Sequence, residues 1–318
     1  MTFHNNPEEF HEAIQAASQA LNIREVVIEK DYWVSYVLKN LSESEYRDQV
    51  VFKGGTALSK AFTYIARFSE DIDLALLDNK SLGDAKRKSL FKKIESTITE
   101  GLKQIKNQPE TLKRGKNRRT FYNYKKISTD SNWGALKDVI QLEINSFTDP
   151  IPNKEIEIKC LLYEFLKSNE FYSEITEYGM EPVVLNVLSM ERTFSEKILS
   201  LIRLSYDGTD ILRKKIRHFY DLHMIMDHND ILNSNTYEII NLARKDDETN
   251  PLFSGDWLNN PLSACPLFQN LEEVWNNLES TYNEELPQLC WLDEIPKSGQ
   301  ILESFSRIRE FIMEFEKS

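Results

Sequence analysis

This sequence predicts an α+β fold, with a mixed sheet flanked by helices and a C-terminal helical block. Three observations predict it. Short apolar or alternating runs with strand period occur at 49–53, 67–76, 119–127, 138–147 and 183–188. From Ser189 onward the apolar residues recur at helical spacing instead. Strand and helix patterns are thus separated along the chain, which suggests an α+β domain over 1–185 and a helical domain over 186–318.

The first helix is announced by Asn6-Pro7, a capping residue with proline at the first helical position, followed by Glu8 and Glu9. Asn22-x-x-Glu25 has the pattern of a capping box and opens a second helix reaching about Asn40. Val50, Val51 and Phe52 form a short buried strand, broken by Gly54-Gly55. Thr56 to Tyr64 then reads as a short helix. Arg67 to Leu76 reads as a strand in which Ser69, Asp71 and Asp73 alternate with Phe68, Ile72 and Leu74. Ser81-x-x-Asp84 opens a helix expected to end near Asn107. Two strands follow, Arg119 to Ile127 and Asp138 to Phe147, joined by a turn-rich segment from Ser128 to Gly134. After Pro150-Ile151-Pro152 the pattern is mixed until Val183 to Leu188, the last strand. Helices are expected over Met190–Leu204, Ile211–Met226, Thr236–Arg244, Leu271–Leu286 and Gln300–Lys317.

Composition narrows the function classes. With 41% hydrophobic and 28% charged residues the chain has ordinary globular composition, which argues against disorder. No apolar run approaches a membrane span, and the N-terminus lacks the order of a secretory signal, so no membrane partner and a cytoplasmic location are expected. Cys160, Cys265 and Cys290 are scattered and form no C-x-x-C pair, which disfavours a disulfide framework or zinc site. His218 and His223 do not have the spacing of zinc ligands. The net charge of −12 repels polyanions, so a nucleic acid would need a local basic patch. One exists between Lys103 and Lys126, with Lys113, Arg114, Lys116, Arg118, Arg119, Lys125 and Lys126. Phe121, Tyr122 and Tyr124 are interleaved and could stack on bases. The same segment also reads as a helix end followed by a solvated basic hairpin.

The chemistry concentrates in Val51 to Leu76. Asp71 and Asp73 are two apart on a strand, so their carboxylates share a face, with Cα atoms about 7 Å apart. Two such charges repel unless a cation lies between them. Mg²⁺ or Mn²⁺ takes one or two carboxylates plus phosphate oxygens and water, which suits phosphoryl or nucleotidyl transfer. Alone, the pair is a weak signal and reads first as two aspartates on a solvent-facing strand surface. Upstream, Gly54-Gly55-Thr56 ends a strand and begins a helix. Glycines allow close approach of a phosphate, and the helix N-terminus offers N–H groups and a favourable dipole. Thr56 and Ser59 add hydroxyls, Lys53 and Lys60 add charge, and Ser69 lies nearby in sequence. The spacing is not that of a Walker A loop. A lone Gly-Gly-Thr would be a capped turn. Followed about 16 residues later by Asp-x-Asp, it describes a compact triphosphate-and-metal site.

These motifs resemble the polymerase-β-like nucleotidyltransferases, and more closely the AbiEii family, toxins of type IV toxin–antitoxin and abortive-infection systems that include the MenT type. The family's GGT-x-L-x-K motif is matched by Gly54 to Lys60, and its R-x-S-x-D-x-D motif by Arg67 to Asp73. R-T-x-x-E-K is matched by Arg192 to Lys197, and R-H-x-Y-D by Arg217 to Asp221. Glu29-Lys30-Asp31-Tyr32 matches an N-terminal feature. The resemblance implies a polymerase-β-like core, a nucleoside triphosphate substrate and catalytic roles for Asp71, Asp73, Lys197 and Asp221. Gly54, Gly55, Thr56, Ser59, Lys60, Ser69 and Thr193 would contact the nucleotide. A third metal carboxylate is expected on a later strand, and Glu143 is the candidate. The acceptor implied is RNA, at the 3′ end of tRNA, where modification blocks translation. A cognate antitoxin and a role in phage defence are implied as well.

Spacing alone makes the later motifs less specific. Thr193 and Lys197 share a helical face, and a lysine there suits a triphosphate as a point charge. Glu196 and Lys197 could also be surface residues, and Arg217 and Asp221 an ordinary i, i+4 salt bridge. Two other functions compete. Asp-x-Asp strands serve nucleotide-sugar glycosyltransferases, although the Gly-Gly-Thr turn and the later lysine motif argue against that. A non-catalytic module that binds nucleotide or RNA would use the same residues without turnover.

Overall fold

The computed structural model describes residues 1–69, 71–77, 82–128, 136–250, 252–290 and 295–317. Glu70, Ser81 and residues 129–134, on which parts of the strand, capping and turn expectations fall, lie outside the described residues. The chain divides into two compact units. One comprises Met1–Thr63 and Phe68–Val187, the other Tyr64–Arg67 and Leu188–Ser318.

The first unit begins with α1 (Pro7–Leu21) and α2 (Glu25–Ser42). Asn22 has φ 53°, ψ 40°, the left-handed C-cap of α1 rather than the expected N-cap of α2. Asparagine tolerates that conformation, which is why an Asn between two helices can end the first as readily as begin the second. There follow β1 (Val50–Lys53), α3 (Gly54–Ala61), β2 (Asp71–Leu76), α4 (Asp84–Ile98), β3 (Lys103–Gln104), β4 (Leu112–Lys113), β5 (Asn117–Asn123), β6 (Ile140–Asn145), β7 (Asn153–Ile158), α5 (Leu161–Ser168), α6 (Tyr172–Glu177) and β8 (Val183–Leu188). Helix α4 stops well short of Asn107. Gly101 takes φ +83°, and the chain then pairs Lys103 and Gln104 with Asn123 and Tyr122. Strand β7 has no clear sequence pattern. It lies at one edge of the sheet, where a mostly polar strand such as Asn-Lys-Glu-Ile-Glu-Ile can remain exposed.

The sheet runs β3-β5-β6-β2-β1-β8-β7, with β4 paired to β5. β2 is antiparallel to β1 and parallel to β6, and β5 is antiparallel to β6. Phe52, Ile72, Leu74, Leu142 and Ile144 are buried and line one face. Asp71, Asp73 and Glu143 fall on the other by strand alternation.

Helix α2 carries three buried charged residues, each satisfied. Glu29 accepts from the backbone N–H groups of Ile127 at 2.6 Å and Ser128 at 3.0 Å. Lys30 donates to the Lys137 carbonyl. Asp31 pairs with Lys60 at 2.6 Å and accepts from Leu161 N–H at 2.7 Å. The Glu29–Asp31 segment therefore ties α2 to several other parts of this unit.

The second unit contains α7 (Met190–Ser205), α8 (Thr209–Arg213), α9 (Ile216–His228), α10 (Ser234–Glu248), α11 (Pro266–Gln269), α12 (Leu271–Leu289) and α13 (Ser298–Lys317). The single helix expected over Ile211–Met226 is two, with the break in the cationic run Arg213-Lys214-Lys215. Ser189 caps α7 by accepting from Arg192 N–H. Phe219 stacks on Phe305 with ring centroids 4.5 Å apart, joining α9 to α13 in the core. Among the described residues no helix is long and apolar enough to cross a membrane.

Candidate active site

The site in the first unit is built where β1 turns into α3. Lys53, the last residue of β1, stands opposite Asp73 in the strand register. Gly54 follows at φ +81°, a conformation that side chains disfavour. A Cβ built at Gly54 would lie 2.2 Å from Asp73 Oδ2 and 3.0 Å from its Cγ. The peptide backbone and the carboxylate are thus in direct apposition, and only glycine fits. Asp73 consequently lies at the N-terminal end of α3, where the helix dipole favours negative charge.

Asp71 and Asp73 are both half-buried and alternate with buried Ile72 and Leu74. They are the two carboxylates predicted from Asp-x-Asp, and they share a face of β2. The hydroxyl of Thr56, expected at a phosphate, is used inside the fold. Thr56 is 1% exposed, donates to the Asp71 carbonyl at 2.5 Å and lies 3.0 Å from Ser69 Oγ. It therefore ties α3 to the start of β2. Ser59 Oγ donates within the helix to the Thr56 carbonyl at 3.1 Å. Lys60, also expected at a phosphate, has its ammonium buried instead. It is paired with Asp31 and donates to Ser35 Oγ at 2.8 Å and the Lys159 carbonyl at 3.1 Å. Gly54, Gly55, Lys53 and Ser69 are half-buried, and Lys53 stands opposite Asp73 in the register.

Glu143 is the register partner of Asp73 across β2 and β6, where a third carboxylate would be sought. It is engaged otherwise. Arg119 Nε and Nη2 lie 2.8 Å and 2.6 Å from Glu143 Oε2, and Asn117 Nδ2 donates to Oε1 at 3.3 Å. Among the described residues no three Asp, Glu, His or Cys side chains are grouped so that they could hold a metal ion. Two carboxylates on one face, with peptide backbone close against one of them, still fit a divalent cation that takes its other ligands from phosphate and water.

The basic segment is divided by the fold. Lys113, Arg114, Lys116 and Lys125 are exposed, the first three on the β4–β5 hairpin. Arg118 pairs with Glu95, Arg119 with Glu143, and Lys126 with Asp138 at 2.7 Å. Phe121, Tyr122 and Tyr124 are 0%, 3% and 7% exposed. They belong to the core and cannot serve as the expected stacking platform. Phe121 and Tyr122 are consecutive, so the strand buries aromatic side chains on both of its faces.

In the second unit, Lys197 and Asp221 come together. Lys197 Nζ is 2.8 Å from Asp221 Oδ2, and Arg67 grips the same carboxylate at 2.7 Å through both Nε and Nη2. All three are buried. The partners of Asp221 are thus Arg67 and Lys197 rather than Arg217. Sequence reasoning marks Arg67 only as the first letter of a motif; its partner lies 154 positions away, and no local signal points to it. Thr193, one turn before Lys197, is buried on α7. Burial raises the Asp221 carboxyl, but the Arg67 and Lys197 charges outweigh it and hold the group well below the usual carboxylate range. Burial, and then the charge of Lys197, pushes His218 well below its ordinary value, so it is neutral.

A carboxylate depressed by folding contributes stability that is present above its unfolded value, near pH 4, and is lost as pH falls through the folded one. Urea unfolding of the wild type should show stability declining below about pH 4. Asp221→Asn should cost about 3–5 kcal/mol at neutral pH, because it leaves two buried cations without their anion, and should weaken the acid decline. An Asn variant as stable as wild type would contradict this reading of the network.

A family model, the nucleotidyl transferase AbiEii toxin of type IV toxin–antitoxin systems, matches residues 36–303. A search of curated proteins finds no match. Among solved structures, MenT4, a nucleotidyltransferase toxin from Mycobacterium tuberculosis H37Rv, is similar with a TM-score of 0.58 at 14% identity, covering 94% of this chain and 89% of that one. At that identity the likeness is one of fold. The family match takes in the Gly54-Gly55-Thr56 turn, both aspartates of β2, Lys197 and Asp221, while Glu29–Asp31 falls outside it. The chain belongs to the AbiEii family of nucleotidyltransferase toxins.

Proposed function

We propose that this toxin transfers a nucleotide from a nucleoside triphosphate to the 3′ end of an RNA, a tRNA in particular, and so blocks translation. The reading rests on one observation above the others, the apposition of the Gly54 backbone to the Asp73 carboxylate on the strand that also carries Asp71. A carboxylate and an incoming phosphate are both favoured at the start of α3, and their like charges need a cation between them. A divalent metal, Mg²⁺ or Mn²⁺, held by Asp71 and Asp73 would neutralise charge on the phosphates and the attacking oxygen.

The chain's own residues then act mainly by position and electrostatics. Gly54 and Gly55 let phosphate oxygens approach the backbone N–H groups at the helix start. Thr56 fixes the distance between that start and β2 through the Asp71 carbonyl. Ser69 supplies a hydroxyl beside Thr56. Lys197, oriented by Asp221 in the second unit, is the cation there that this reading makes essential. Thr193 shares its helical face. A cognate antitoxin that silences the toxin, a cytoplasmic location and a role in abortive infection and phage defence belong to the same proposal. The family match favours this chemistry over nucleotide-sugar transfer. Non-catalytic binding predicts that the wild type transfers no labelled nucleotide.

Incubation with total RNA, Mg²⁺ and each labelled triphosphate should label RNA 3′ ends. The double variant Asp71→Asn, Asp73→Asn should lose at least about a thousandfold of that activity, as expected when the groups that stabilise developing charge are removed. It should also no longer arrest growth. Arrest that survives the double change would refute the transferase reading. The exposed cations of the β4–β5 hairpin are the proposed RNA-binding surface, with Lys125 past the other end of β5. Replacing Lys113, Arg114 and Lys116 by Ala should reduce the slope of log affinity against log salt by about one for each phosphate that the hairpin ceases to neutralise. An unchanged slope would remove the hairpin from the RNA interface.

A further inference from the structure

The sheet face that carries Asp71 and Asp73 also carries a cation that the sequence motifs do not mark. Asp73 is opposite Glu143 on β6, and Glu143 is opposite Arg119 on β5. Residues directly opposite share a face, so the three side chains form one row across adjacent strands. Two strand spacings of about 4.8 Å put the Cα of Arg119 about 10 Å from that of Asp73.

Within this row Glu143 holds Arg119. Nε and Nη2 both lie on Glu143 Oε2, and Asn117 steadies the other oxygen. The Glu143 side chain is 14% exposed and that of Arg119 is 32% exposed. The anion is therefore more covered than the side chain that it holds. Nη1 is not used by Glu143 and hydrogen-bonds to no described residue. A guanidinium fixed on one edge by a carboxylate, with its other edge open, is a ready partner for a phosphate oxygen. The rest of the row explains the arrangement. Asp73 and Glu143 would otherwise be adjacent like charges on neighbouring strands, and Arg119 cancels one of them.

We propose that Arg119 is a nucleotide-binding residue, anchored by Glu143 and presenting Nη1 to a phosphate oxygen of the nucleoside triphosphate. This rests on the reading of Asp71 and Asp73 as the triphosphate site. It gives Glu143 the role of a positioning residue rather than a metal ligand. An RNA backbone phosphate offers the same chemistry. The place of Arg119 in the row that carries Asp73 favours the nucleotide.

The test uses the full chain with Arg119→Gln, Arg119→Lys and Glu143→Gln variants, each checked for an unchanged thermal transition. Equilibrium binding of the triphosphate with Mg²⁺ and without RNA is measured, together with kcat and the separate KM values for triphosphate and RNA. Arg119→Gln should weaken triphosphate binding and raise its KM about tenfold to a hundredfold, the worth of one charged hydrogen bond, with the KM for RNA unchanged. Arg119→Lys should recover part of that affinity, as a point charge without the fork. Glu143→Gln should raise the triphosphate KM by less and leave the Mg²⁺ requirement unchanged. Triphosphate affinity of Arg119→Gln within twofold of wild type would overturn the proposal, as would a rise in the KM for RNA alone. A fall in kcat with a raised Mg²⁺ requirement in Glu143→Gln would make Glu143 a metal ligand and overturn its anchoring role. If the wild type binds no triphosphate, the underlying reading of the site falls; if it binds and Arg119→Gln is unaffected, only the role of Arg119 does.

Discussion

Gly54 and Asp73 occupy a space into which no side chain at position 54 would fit. The Cβ position at Gly54 lies 2.2 Å from Asp73 Oδ2, far inside van der Waals contact. That closeness dictates the elements around it. Strand β1 must end at Lys53, opposite Asp73, because the chain turns at the next residue with positive φ. Helix α3 must begin there, with its first N–H groups beside a carboxylate. Thr56 can then reach the Asp71 carbonyl and fix the helix against β2. The turn, the two aspartates and the helix start form one object, held by packing and hydrogen bonds rather than by loop sequence alone.

Burial decides what each charged residue does. Lys60 sits in a motif with glycines and hydroxyls and has the chemistry of a phosphate ligand, but its ammonium is covered by Asp31, Ser35 and Lys159. Glu143 has the position of a metal carboxylate, but its charge is met by Arg119. Glu29 is fully buried and satisfies two backbone N–H groups of the chain that follows β5. Burial raises its pKa, and those hydrogen bonds oppose the rise. Removing one partner from such a group costs more than the pair contributes, because the other is left buried and uncompensated. These residues are therefore fixed by the structure around them.

Much of this is legible in the sequence where a local rule applies. The apolar run at Val50–Phe52, the glycine turn and the alternation of Asp71 and Asp73 with Ile72 and Leu74 follow from strand period and the freedom of glycine. Helix α7 is legible from its spacing. What escapes depends on distant partners. Nothing near Arg67 announces Asp221, and nothing near Arg119 announces Glu143. The tyrosines at 122 and 124 have the pattern of a base-stacking surface, and only the sheet that buries them shows otherwise. Asn22 could end one helix or start the next, and local pattern does not decide between them.

If the close approach at position 54 organises the carboxylates for nucleotide transfer, a single methyl group placed there is enough to disrupt it. Gly54→Ala adds that group at a backbone conformation that side chains disfavour. With circular dichroism and thermal unfolding showing that the fold persists, transfer of labelled nucleotide to RNA should fall by about a hundredfold or more, since a displacement of about 1 Å at such a site has that effect. A Gly54→Ala protein that transfers nucleotide at the wild-type rate would show that the carboxylates do not depend on this approach.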